Sequence, residues 1–212
     1  MTWQVESYAN RVGLKTWKTD NSAGGGALLN FVSHSLDYLE WFVGPIQGLF
    51  ACLAGMPNDA RQNDSFVAMA LRFGSGAAGS LTMSAAAYQG SGHRIEFYGE
   101  EGTMVLHNAG PDYMHGFRLA AARRPDQALT AVEVQAPDRD RWKDGRVLPS
   151  SRLAKRFLDW VERGSPAEPT FARGLRAQYL AEQARRSHAT GRWIDISAPE
   201  GADGRWPSAP IS

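Results

Sequence analysis

Cysteine is nearly missing from this sequence: Cys52 stands alone among 212 residues, which excludes an intrachain disulfide. With Phe50, Ala51 and Leu53 around it, Cys52 is expected inside a buried apolar strand. A reducing cytoplasm is the expected setting. An excess of one charge is also lacking, since 23 Lys and Arg face 22 Asp and Glu. No strong field would draw such a chain to nucleic acid or to an anionic membrane. No apolar run approaches the roughly 20 residues that span a bilayer, and no basic-then-apolar leader opens the sequence, so neither membrane insertion nor export is expected. H-x-x-H, H-E-x-x-H and C-x-x-C spacings are absent, and no metal site is expected. A further absence concerns nucleotides. Nowhere does a strand run into G-x-G-x-x-G at the start of a helix, with an acidic residue about 20 positions on, as a dinucleotide pyrophosphate requires. Gly24-Gly25-Gly26 leads into a helix with the wrong spacing, so no cofactor is expected to bind this chain by itself.

What remains is an ordinary globular composition, 43% hydrophobic and 21% charged, with enough chain for one large core. Residues 3–13 alternate weakly and predict an entry strand, followed by a polar loop to Ser22. Leu29, Val32, Leu36, Leu39 and Val43 recur at spacings of three and four and predict an amphipathic helix ended by Gly44-Pro45. Between 46 and 136 the period becomes that of strands, at about 46–54, 65–73, 77–85, 93–99, 102–108, 116–122 and 130–136, with glycine-rich hairpin turns between them. Leu153, Phe157, Leu158 and Val161 mark a second helix closing at Gly164. Leu175, Tyr179, Leu180 and Ala184 mark a third that runs out at Thr190-Gly191, before a short strand at 192–196. The expected fold class is α+β, a large, mostly antiparallel open sheet with helices packed on one face, in a single domain over 1–198. A polar tail at 199–212 is expected to be disordered.

On the first long helix Asn30, His34 and either Asp37 or Tyr38 share a face distinct from the apolar stripe. Histidine suits proton exchange near neutral pH, a neighbouring carboxylate would orient its ring, and Asn30 offers hydrogen bonds to a substrate hydroxyl. A hydrogen-bonded structural histidine is the alternative. Tyr88, before Gly90-Ser91-Gly92, stands at a strand end that reaches toward a substrate. His93, His107 and His115 show no ligand spacing, and Trp3, Trp17, Trp41, Trp160 and Trp193 read as core or interface anchors. The charged segments Arg123-Arg124 and 139–146 are balanced by Asp126, Asp138, Asp140 and Asp144 and read as solvated loops, with Trp142 able to cover a pocket.

The run from Gly24 to Gly44 resembles the G-G-G-x-L-x-D-x-x-x-H-x-x-D-x-x-x-W-x-x-G segment of the glucose-fructose oxidoreductase and inositol dehydrogenase family, written Gfo/Idh/MocA. Arg94–Val105 is similar to that family's strand, turn and strand ending in Y-G-x-x-G-T, and 169–196 to its last helix and closing strand. The resemblance implies a C-terminal domain that supplies the substrate pocket and an open sheet face building homodimers. A Rossmann domain, missing from this chain or carried by a separate subunit, would bind NAD or NADP. The implied reaction is hydride transfer between a sugar or polyol carbon and the nicotinamide. Under it His34 is the catalytic residue that manages the hydroxyl proton, and Asn30, Asp37, Tyr38 and Tyr88 contact a small-molecule substrate. The family aspartate is replaced by Asn30, which can hold a hydroxyl but cannot ionise. A stand-alone ligand-binding or dimerisation module without redox activity is the alternative organisation.

Overall fold

A computed structural model describes residues 1–61, 63–110, 116–135, 142–164 and 166–197. His115, residues 139–141 of the charged loop and the tail at 199–212 lie outside the described residues. The chain forms two compact units, one made of Met1–Ser91 with the segment from Phe171 onward, the other of Gly92–Thr170.

In the first unit five strands, β1 (Thr2–Gln4), β2 (Ile46–Ala54), β3 (Phe66–Phe73), β4 (Ala78–Ser84) and β9 (Ile194–Asp195), lie in the order β1-β4-β3-β2-β9. All neighbours are antiparallel except β1 on β4, which is parallel. The alternation along β3 turns Val67, Met69, Leu71 and Phe73 inward. On β2 a bulge between Ile46 and Gly48 changes the parity of the strand, so that Ile46 and then Leu49 and Ala51 are buried. Cys52, expected to be buried, is therefore exposed: it occupies the outward-facing position next to Ala51, alongside Phe50.

Two helices cover the inner face of this sheet. Helix α2 (Ser33–Val43) follows a π-helical turn at Leu28–Val32 and buries Leu36 and Leu39, with Leu28 and Val32 just before it. Helix α4 (Phe171–Thr190) buries Ala177, Leu180, Ala181 and Ala184. Small residues let α4 approach β2 so closely that the Ser187 hydroxyl accepts from the Ala51 N–H at 2.9 Å and donates to the Arg192 carbonyl at 2.6 Å. That hydroxyl serves a strand amide beyond the reach of the short edge strand β9, whose pairing with β2 stops at Leu49. Each fully buried leucine here contributes about 2 kcal/mol of transfer free energy.

The entry segment differs from expectation. The strand stops at Gln4, and the Ser7 hydroxyl, accepting from the Asn10 N–H at 3.3 Å, caps a short helix α1 (Tyr8–Arg11) instead. A local cap outweighs a weak alternation.

The second unit pairs β5 (Gly92–Tyr98), β6 (Gly102–Asn108), β7 (Arg118–Arg123) and β8 (Thr130–Val132) antiparallel in the order β8-β7-β6-β5. Strand β8 ends at Val132, four residues short of the predicted 136. Helix α3 (Val147–Arg163) ends at Gly164 in the left-handed conformation, as its sequence anticipates, yet none of its residues is buried. The architecture is α+β, mostly antiparallel open sheet, with α2 and α4 on one face of the first unit's strands.

Candidate functional site

The site begins with the glycine run, because the backbone there leaves no room for side chains. A Cβ on Gly25 would strike the Trp17 and Lys18 backbone, and Gly26, at φ +91°, faces the Asp64 and Asn21 side-chain oxygens. Asp64, on the loop between β2 and β3, closes the helix start. Its Oδ2 accepts from the Leu28 N–H at 2.7 Å and its carbonyl from the Ala27 N–H at 2.8 Å. A carboxylate in this place is favoured by the helix dipole and satisfies an amide that has no intrahelical partner. Sequence reasoning missed Asp64 because a cap 36 residues away leaves no local spacing to read.

Past this entry the π-helical turn carries Asn30. Its side-chain amide donates to the Gly26 carbonyl at 2.9 Å and to the Lys18 carbonyl at 3.0 Å, which engages both amide hydrogens and leaves Oδ1 as the acceptor. An aspartate could make neither bond. One helical turn on, His34 is exposed, and among the described residues nothing is hydrogen-bonded to its imidazole. Asp37 points elsewhere: its carboxylate receives the Arg173 guanidinium of α4, with Nη2 to Oδ1 at 2.7 Å and Nε to Oδ1 at 2.9 Å. Tyr38 is half-buried and donates to Ser35 Oγ at 2.9 Å, and burial pushes its phenol well above the ordinary tyrosine range. Its ring meets Phe42 edge-on at 6.2 Å, and Phe42 meets Trp41 at 4.9 Å. Trp41 is 54% exposed, so this tryptophan of the motif is an aromatic surface beside the histidine face rather than a core anchor. Among the five tryptophans expected as anchors only Trp3 is buried. Tyr88, 77% exposed beyond β4, has no hydrogen bond or ring contact with Asn30, His34, Asp37 or Tyr38. The helix face thus carries the exposed His34 and Trp41 with the half-buried Asn30, and engages Asp37 and Tyr38 in contacts within the protein.

The orientation of that face is fixed from α4. Arg176 donates to Glu40 Oε1 at 2.8 Å and to the Ile46 carbonyl at 2.7 Å, and Glu40 Oε1 accepts from the Ile46 N–H at 2.7 Å. Both side chains are largely buried, at 7% and 15% exposure, so the pair is well shielded from solvent. Together with Arg173 and Asp37 it joins α4, α2 and the start of β2 at points 130 to 136 residues apart.

His93 in β5 is buried, its ring edge-on to Phe117 at 5.4 Å, and burial pushes its imidazole down to about 4. Among the described residues no three His, Cys, Asp or Glu side chains are grouped as a metal ion would need, and no helix is long and apolar enough to cross a membrane. The glycine-run helix is a poor cradle for a pyrophosphate. It is preceded by 3₁₀ turns rather than a strand, and Asp64 already occupies its first N–H groups with a negative charge.

Residues 2–196 match the model of an oxidoreductase family, C-terminal alpha/beta domain. An uncharacterized oxidoreductase of Synechocystis sp. is 28% identical over 208 residues, which cover 92% of this chain and 56% of that protein. Levoglucosan dehydrogenase, solved in complex with NADH and levoglucosan, has a similar fold, with a TM-score of 0.76 at 23% identity over 92% of this chain and 57% of that one. So has the aldose-aldose oxidoreductase of Caulobacter crescentus complexed with glycerol, at TM-score 0.74 and 17% identity over 92% of this chain and 54% of that one. The chain spans little more than half the length of the proteins it matches.

Proposed function

Because this chain belongs to the Gfo/Idh/MocA oxidoreductase family, as its C-terminal α/β domain, we propose that it is the substrate-binding and oligomerisation half of an NAD(P)-dependent dehydrogenase acting on a sugar, polyol or related hydroxyl compound. The observation that carries this reading is the exposed His34, set one turn beyond Asn30 and one face-length before the exposed Trp41 on a helix whose start and tilt are fixed by Asp64, Arg173 and Arg176. The similar folds of levoglucosan dehydrogenase, solved with NADH and levoglucosan, and of the aldose-aldose oxidoreductase, solved with glycerol, support the class of compound. The occupied helix start argues for a cofactor held by a Rossmann domain outside this chain, and the nicotinamide there would supply the hydride acceptor.

The chain's own residues then have limited tasks. His34 accepts the proton of the substrate hydroxyl as the carbon bearing it loses hydride, leaving a carbonyl. Asn30 Oδ1 accepts a hydrogen bond from a neighbouring hydroxyl and positions it, since its amide hydrogens are held by backbone carbonyls. Trp41 gives the sugar an apolar face to lie against. No carboxylate of the motif assists the imidazole, because position 30 is an amide and Asp37 is engaged by Arg173. Tyr88, exposed beyond β4, is proposed as a further substrate contact. The outward face of the first unit's sheet, with Phe50, Cys52 and Ala70 exposed, is proposed to form a homodimer, and the single free thiol fits a cytoplasmic setting.

The test is on the native protein. Its size in an extract of the source cells should exceed this chain by about one domain, 100 to 200 residues. The purified enzyme, assayed against a panel of sugars and polyols with NAD and NADP, should lose about 100-fold or more in kcat on His34→Ala. Thermal stability should hardly change, because the side chain is exposed. A native protein no larger than this chain, or an unchanged kcat, rejects the reading.

A further inference from the structure

Asp37 lies three residues beyond His34 in the regular part of α2, so the two side chains are neighbours on one face, with Cβ atoms about 5 to 6 Å apart. A carboxylate in that place is an ordinary partner for an imidazole N–H. Here it is taken from the other side. The Arg173 guanidinium, in the first turn of α4, lies against Asp37 Oδ1 with Nη2 at 2.7 Å, while Nε donates to the same oxygen at 2.9 Å. Nη2 also donates to the Asp37 carbonyl at 3.2 Å. Among the described residues neither Asp37 Oδ2 nor the His34 ring has a hydrogen bond, so a carboxylate released by Arg173 would find an imidazole free to receive it.

Four charged groups meet where α2 crosses α4: Asp37 and Glu40 on α2, Arg173 and Arg176 on α4. Lys18 lies on the turn beside Asn30, with its ammonium 5.5 Å from the centre of the Trp17 ring. Arg176 and Glu40 satisfy one another, are shielded from solvent, and tie in the start of β2 as well. As a fastener the outer pair adds little to them, because Arg173 and Asp37 are 17% and 38% exposed and water screens their attraction. What distinguishes the outer pair is its neighbour, since Asp37 is the carboxylate one turn from His34. We infer that Arg173 is a positioning residue for His34: by engaging Asp37 it keeps the carboxylate off the imidazole and cancels its charge one helical turn away. The ring is thereby left unpaired, with a nitrogen open to a substrate hydroxyl rather than gripped by its own helix. This role rests on the reading of His34 as the proton acceptor, whereas the coupling of Arg173 and Asp37 to the ring can be measured without catalysis.

The experiment follows the His34 ring Cε1–H resonance of this chain against pH at low ionic strength, the signal being assigned by its loss in His34→Ala. A lone negative charge one turn away favours the charged ring and a lone positive charge opposes it. The titration midpoint should therefore move up in Arg173→Gln and down in Asp37→Asn, each by roughly half a unit to one unit. The double variant Arg173→Gln with Asp37→Asn should return close to the wild type, and Arg173→Lys, which keeps the charge, should stay there. Loss of packing alone would not move the two single variants in opposite directions. The inference is overturned by a midpoint that does not move in either single variant, by shifts of the same sign in both, or by a double variant that fails to return. Should Arg173→Gln unfold the chain, Asp37→Asn decides, and an unmoved or raised midpoint there rejects the inference. In the native enzyme the acid limb of kcat/KM should move in the same directions; a limb that stays in place while His34→Ala loses activity also overturns it. Midpoints that move as stated, together with an unchanged kcat in His34→Ala, would reject the proposed function alone.

Discussion

At position 30 the choice between an amide and a carboxylate decides which bonds the helix entry can make. Asn30 gives two hydrogens to two carbonyls that flank the glycine run. Replacing it with Asp would set a charged acceptor against them. Nearness to the helix start returns at most about 1 kcal/mol, against roughly 1 to 3 kcal/mol for the broken and repelling contacts. Asn30→Asp should therefore lower stability, read as a reduced urea midpoint with unchanged slope, although it would restore the aspartate of the motif that the glycine run and helix resemble. His93 makes a second residue-scale prediction. Its imidazole is pushed down to about 4 in the folded chain from an ordinary 6.5 by burial. Above pH 6.5 the ring is neutral in both states, and between 6.5 and about 4 only the unfolded chain takes up the proton. Stability should fall across that window as pH is lowered, and urea midpoints of His93→Leu should show a flatter profile there. The histidine at 34 and the departure at 30 were legible from motif spacing. The direction in which Asn30 points was not, because Lys18 and Gly26 become its neighbours only when the glycine run folds back.

Helices α2 and α4 show what periodicity conveys and where it stops. The stripe of Val32, Leu36 and Leu39 is buried as its spacing predicts. Nothing in that spacing names the partner, and the contacts that set the tilt of α2 come from Arg173 and Arg176, 136 residues away in each case. Truncating one member of a largely buried pair strands the other, a loss of about 3 to 5 kcal/mol. Arg176→Met is expected to show that loss in urea denaturation, and Arg176→Met with Glu40→Met should recover a large part of it. On β2 a bulge, invisible in an apolar run, reversed the inward and outward positions and exposed Cys52. Helix α3 gives the opposite lesson, for its pattern of Leu153, Phe157 and Val161 predicts the helix correctly while all three remain exposed.

For the molecule as a whole, the proposed function assigns a larger assembly to the outward sheet face and the helix face bearing His34. If the sheet face pairs two copies, sedimentation of the wild-type chain should show a dimer and Phe50→Asp a monomer, with the fold retained because Phe50 is 39% exposed. A monomeric wild type would remove that surface from the proposed function. Local order along the chain determined the α+β class, nearly every strand and helix, and the position of His34. These depend on periodicity, turn residues and a motif spanning 21 consecutive residues, all of which are properties of neighbours in sequence. Only the tertiary structure decided that Asp64 closes the helix start and that Asp37 serves Arg173 rather than the histidine. Each of those depends on groups brought together across tens to more than a hundred residues by burial of the common core. The energy of such contacts depends on distance through space, which no spacing along the chain records.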